Sequence, residues 1–191
     1  AYTHGADSLS GGSLNRVVRT AVAANRARAV VEDDFHHFRV RIEHDGARVV
    51  AIGAQALRYP YSLCPAAGGA LQNLVGAALT TWASDVFRYT EPRLQCTHQF
   101  DLAALALAAA ARGQGRTYRA QVFDAVDGLM KAWVSRDGAP VHEWSVEGYA
   151  ISTPSRFGGL GLGQGFTSWV AANLDEGDAE AALVLRRSVF I

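Results

Sequence analysis

Two cysteines and several of the six histidines fall where elements of the chain should meet, and these are the side chains best suited to metal or nucleophilic chemistry. Cys96-Thr97-His98 opens an alanine-rich stretch that ends at Arg112. Uncapped N–H groups and the positive end of a helix dipole favour a thiolate at such a place. A Cys and a His two residues apart can both turn toward one point when the chain runs extended before a helix. Cys64 holds a similar position, between a strand pattern and the next helix. His36 shares the inward parity of Phe38, Val40 and Ile42, whereas His37 falls with Arg39, Arg41 and Glu43 on the opposite face. A buried imidazole must satisfy its ring nitrogens by hydrogen bonds or by a metal. His36, Cys64, Cys96 and His98 together would offer two sulfur and two nitrogen ligands, a set that suits zinc and could suit iron. Asp33 and Asp34, just upstream, could orient the His36 ring from behind.

The spacing is not that of a zinc finger, so the residue types leave four arrangements open. These are buried small hydrophobes with hydrogen-bonded core histidines, a shared metal, a Cys–His nucleophilic pair, or a disulfide. A metal would polarise a carbonyl or activate water on a small organic substrate, in a hydrolysis, hydration or lyase step. Asp34 and His37 are then the candidate proton carriers. Arg58, with Tyr59 and Tyr61 at a strand end, could bind a carboxylate or phenolic group, although exposed Arg and Tyr are common. Four protein ligands would close a zinc site, so either one is loose or the ion is structural and the protein handles metal without catalysis. A metal-free Cys–His enzyme is the third reading. Gly158 to Gly165 lacks the Gly-x-Gly-x-x-Gly dinucleotide pattern and reads as a lid or a plain loop.

The elements that must hold these groups follow from pattern. Residues 1–13, rich in Gly and Ser, read as a flexible arm ahead of a single domain over 14–191. Arg16 to Val31 mixes Val and Ala with four arginines and does not discriminate strand from helix. Phe38, Val40 and Ile42 alternate with charged residues as a half-buried strand does. His44-Asp45-Gly46 supplies a turn, and Arg48 to Tyr59 returns as a second strand. Short helices are predicted over Ala66 to Val75 and Ala77 to Phe87, and a long one over Thr97 to Arg112, stopped by Gly113. Three strands follow, over Thr117 to Phe123, Leu129 to Ser135 and Val141 to Ile151, with Asp127-Gly128 and Asp137-Gly138 as turns. Phe166 to Asn173 is a short segment, and Asp178 to Val189 is a closing helix capped by Asp178. Strands, helices, strands, helices is the order of an antiparallel α+β protein.

Totals narrow the function classes. With 191 residues, 49% of them apolar, the chain can bury a core without staples. Eighteen basic side chains balance eighteen acidic ones, which points away from nucleic acid as a partner. The longest apolar run, Leu102 to Ala111, is half of the ~20 residues that a membrane crossing needs. No export signal is visible at the start, and two cysteines are too few for a disulfide framework, so a reducing cytoplasm is expected. A small-molecule substrate is the expected partner, and a homo-oligomer is compatible with the sequence.

Several motifs carry a resemblance. Glu32-Asp33-Asp34-Phe35-His36-His37-Phe38, the hairpin to Arg58-Tyr59-Pro60-Tyr61, Cys64-Pro65, Leu74-Val75-Gly76 and Cys96-Thr97-His98 resemble the bacterial family catalogued as domain of unknown function 2889. The closing Ala179-Glu180-Ala181 to Leu185-Arg186-Arg187 is similar to actinobacterial members. The resemblance covers roughly residues 16 to 190 and implies a His, a Cys and a Cys-Thr-His at His36, Cys64, Cys96 and His98, but no activity. Gln99 stands where the resemblance implies Leu. The order His36, hairpin, Cys64, helix, Cys96 and His98 is also similar to that of iron–sulfur cluster scaffolds, although a His stands where those have Cys and the second β region has no counterpart.

Overall fold

The computed structural model describes residues 12–191. The arm expected over 1–13 lies outside the described residues except for Gly12 and Ser13, and Ser13 already opens the first strand. The ambiguous stretch is a hairpin of β1 (Ser13–Ala23) and β2 (Arg26–Glu32), turned at Ala24, whose φ is +45°. Its pattern was hard to read because Arg16 points inward beside Val18 and Thr20 and is buried with them. β3 (His37–His44) and β4 (Val49–Arg58) follow as the alternation predicts, with Phe38, Val40 and Ile42 fully buried.

The predicted helices over 66–75 and 77–87 are corrected to a four-residue turn, α1 (Cys64–Ala67), and 3-10 segments over Gly68–Leu74 and Ala83–Arg88. The reason is backbone demand. Gly76 donates to the Val49 carbonyl, Val49 to that of Ala77, and Leu79 to that of Ala47, so the chain there is committed to the start of β4. The long helix α2 (Thr97–Arg112) has the bounds expected and ends on Gly113 at φ +70°. Its alanines let it lie close against β1, β2 and β3.

A second meander then forms from β5 (Thr117–Phe123), β6 (Leu129–Arg136), β7 (Ala139–Glu147) and β8 (Ala150–Ile151). Asp127-Gly128 and Asp137-Gly138 both take positive φ at two successive residues, the geometry that tight hairpins require. After α3 (Phe166–Asn173), helix α4 (Glu176–Val189) packs on β5, β6 and β7. Its cap is Asp175, whose carboxylate accepts from the Asp178 N–H at 2.8 Å, not Asp178 as the sequence suggested. All eight strands make one antiparallel sheet in the order β4-β3-β2-β1-β5-β6-β7-β8, consistent with the α+β class. The two meanders join where β1 pairs with β5. No helix among the described residues is long and apolar enough to cross a membrane.

Candidate functional site

The loop between β2 and β3 is organised by Asp33. Its carboxylate accepts from the backbone N–H groups of Phe35 and His36, each at 2.8 Å, which folds the loop back on itself. The same carboxylate accepts from Arg16 Nε at 2.8 Å and from a terminal guanidinium nitrogen of that residue. Arg16 is only 2% exposed, so an inward-facing cation of β1 is matched by a buried anion. Burial alone would raise the Asp33 carboxyl, but the Arg16 charge and hydrogen bond hold it below the usual range. His36 Nδ1 lies 2.9 Å from Asp33 Oδ1. Because an ionised carboxylate only accepts, Nδ1 carries the proton in the neutral ring and Nε2 is left as an acceptor.

His98, in the first turn of α2, lies face to face with His36, ring centres 4.1 Å apart and planes 29° from parallel. Phe38 lies beside both imidazoles, its ring centre 5.8 Å from that of His98 and 5.7 Å from that of His36. The Nε2 atom of His98 is buried and has no hydrogen-bond partner among the described residues. Burial, reinforced by the Arg16 charge, lowers this imidazole to about 3, so it is neutral in neutral solution.

Beside these rings a pocket of about 60 Å³ opens between α2, α4 and the strands beneath. Val18, Val31, Leu102, Leu105 and Val184 form its apolar wall, while Arg16, His98, Asp101, Arg186 and Arg187 supply its polar groups. Arg187 of α4 is paired to Asp101 of α2 across it. Arg186 donates to the Leu162 carbonyl at 2.5 Å and sits over the rings of Phe166 and Phe190.

The sequence-predicted site residues divide. His36 and His98 come together as stacked rings, with Asp33 hydrogen bonded to His36. Cys96 caps α2 and Cys64 opens α1, and both are half-buried free thiols. Burial raises the Cys96 thiol, outweighing the pull of the Gln99 and His98 N–H groups, so the helix end does not make the thiolate that was expected. Gln99 is buried and donates to the Cys64 carbonyl at 2.7 Å, tying the two cysteine segments together through an amide. Asp34 is exposed in the loop, and His37 lies in β3 opposite Glu32 and Arg58, on the other side of the strand from Phe38. Arg58 donates to the Asp33 carbonyl at 2.6 Å and so braces the loop from outside. None of Asp34, His37 and Arg58 lines the pocket.

The reading as a metal-dependent enzyme working through a Cys/His metal site is overturned, because among the described residues no three His, Cys, Asp or Glu side chains are grouped so as to hold an ion. The geometry gives the reason. Ring lone pairs lie in the ring plane, so two stacked imidazoles cannot aim at one point between them, and His36 Nδ1 is already given to Asp33. Arg16, Asp101, Arg186 and Arg187 were missed as site residues. An Arg at inward parity in a strand requires a buried carboxylate, and that signal became readable only once β1 was known to be a strand.

Residues 14–112 match the family of proteins of unknown function DUF2889, and the chain belongs to this family. No curated protein matches the chain. The matched stretch runs from β1 to the last residue of α2 and contains Arg16, Asp33, His36, His98 and Asp101, while Arg186 and Arg187 lie beyond it.

Proposed function

We propose that the protein binds a small organic carboxylate, inserting the head group between α2 and α4 and leaving the apolar body at the mouth. The observation that carries this is the company of His98. A buried ring nitrogen without a partner costs roughly 1–3 kcal/mol, and a ligand that supplied the missing hydrogen bond would recover it. A neutral imidazole and guanidinium groups both suit an anionic oxygen head. The lining holds three guanidinium groups against one carboxylate, and cations remain in excess even when Asp33 behind Arg16 is counted. A volume of about 60 Å³ is well below the ~150 Å³ cavity that takes benzene, so only one end of a ligand fits inside.

Thermal unfolding in the presence of butyrate, benzoate and their amides tests the proposal. A ligand that binds the folded state raises the melting temperature in proportion to the logarithm of its concentration. The acids should raise it, the amides should not, and His98→Leu should abolish the difference. Equal shifts from acids and amides, or none from either, would sink the reading.

A further inference from the structure

The face of the sheet turned away from the helices carries a different pattern, independent of the pocket. Arg41 of β3 stands directly opposite Arg28 of β2 in the register. Arg39 of β3 and Arg19 of β1 both stand opposite Val30 of β2, one on each side. Arg119 of β5 pairs with Val17, one step diagonally from Arg19. Strand alternation puts all five on one face, and all five are exposed. They form a diagonal stripe across four adjacent strands, with neighbours roughly 5–8 Å apart at Cβ. Like charges directly opposite each other disfavour the sheet. No ion pair relieves them among the described residues, since Glu43 is taken by Arg26 at 3.1 Å and Glu32 by Arg58 at 3.6 Å. A depression of about 400 Å³ lies over Arg28, Arg39, Arg41, Gly53 and Gln55. Gly53 faces Arg41 in the register, and a Cβ there would touch nothing, so the floor of the depression is open.

We infer that this stripe binds the phosphodiester backbone of single-stranded nucleic acid. Charge complementarity demands a polyanion, and guanidinium groups match phosphate in a bidentate way. An acidic protein partner would need an apolar anchor at the centre of its interface. The large exposed apolar side chains of the described residues lie off β1, β2, β3 and β5. The stripe does end on a surface for bases. Trp133 of β6 pairs with Gln121, one diagonal step beyond Arg119, and is half-buried with its Nε1 hydrogen bonded to Gln121 at 3.1 Å. An indole beside a run of guanidinium groups is the combination that holds a single strand, by stacking on the base and pairing with the phosphate. The balanced net charge concealed this, because a total says nothing about where the charges stand.

Fluorescence anisotropy of the full chain with labelled oligo-dT and oligo-U of about 20 nucleotides tests the inference and separates DNA from RNA as the source of the phosphodiester. At about 50 mM salt one or both should bind, and affinity should fall with salt at a log–log slope no steeper than about −3.5 for five contacts on a single strand. Arg28→Gln/Arg41→Gln should weaken binding on the order of tenfold and make the slope shallower. Both side chains are exposed, so this variant should fold, and its carboxylate response in the pocket should be unchanged. Absence of binding, equal binding by the variant, or equal affinity for poly-glutamate or duplex DNA would each overturn the inference.

Discussion

From β1 to α2, and again from β5 to α4, a four-strand antiparallel meander runs into a helix that packs on the same side of the sheet. The first half buries His36 and His44 and the second buries His142, and each half also buries a carboxylate that meets an arginine. In the second half His142 donates Nε2–H to the Asp178 carbonyl at 2.8 Å. Glu180 there accepts from Arg112 at 2.7 Å and from the Tyr118 hydroxyl at 2.8 Å, with Arg116 close by. In the first half Asp33 is as well provided, but His98 is not: its Nε2 has no partner and the ring borders a pocket. Trp144 Nε1 in the second half is also unpartnered, yet it is enclosed by Phe157 and Phe166 and stands outside the lining of the pocket between α2 and α4. Each cluster keeps a buried nitrogen without a partner among the described residues, Arg112 Nε in the second half and His98 Nε2 in the first, and of the two residues it is His98 that borders the pocket between α2 and α4. The half that holds His98 is the one the family match covers.

Removing one carboxylate from each half sets the two clusters against each other and should have the largest effect. Asp33→Asn strands the buried Arg16 charge, and Glu180→Gln strands Arg112, so each should lose about 3–5 kcal/mol in chemical denaturation. In the fraction that stays folded, Glu180→Gln should keep the carboxylate-dependent thermal shift and Asp33→Asn should lose it. The reverse assignment would break the comparison.

Acid should expose the histidines next. His98 is held at about 3 in the folded state against an ordinary 6.5, so protonation favours the unfolded chain. Its contribution is complete above the unfolded value and is lost as pH falls from about 6.5 toward 3, on the order of 1 kcal/mol per pH unit. Asp33, held low in the folded state, adds to the loss at the acid end, and His142, lowered by burial, acts in the same direction. Denaturation midpoints between pH 7 and 4 should therefore fall steeply, and His98→Phe should flatten the profile more than His142→Phe does.

Smaller still is Tyr118→Phe, which deletes one hydrogen bond to Glu180 and should cost about 1–2 kcal/mol without altering the pocket. The smallest expected effect is chemical rather than energetic. Because burial raises the Cys96 thiol, iodoacetamide at neutral pH should modify it slowly in the native protein and faster once denaturant is added, as followed by mass spectrometry.

Much of this architecture was legible along the chain. Alternation marked β3, Asp-Gly pairs marked two tight hairpins, and the alanine-rich run gave α2 its bounds. But Val141 to Ile151, expected as one strand, is the end of β7 and the paired β8, turned at Gly148 with φ +58°. The reading failed where distant groups decide a local conformation. Arg16 disguised β1 because its partner, Asp33, is 17 positions away. The stretch near Gly76 looked helical because its hydrogen bonds to β4 leave no trace in its own residue types. His36 and His98 were expected to meet and do meet, but as stacked rings, not as ligands around an ion.

Residue order by itself determined the class of fold, the inward parity of His36 and the helix that begins beside Cys96, since periodicity and turn chemistry act over a few residues. Only the tertiary structure decided what the buried groups do. Whether a nitrogen finds a partner, whether a thiol is desolvated, and whether five arginines line up on one face depend on which strands become neighbours. Neighbours are set by the packing of the whole chain, and no stretch of it specifies them alone.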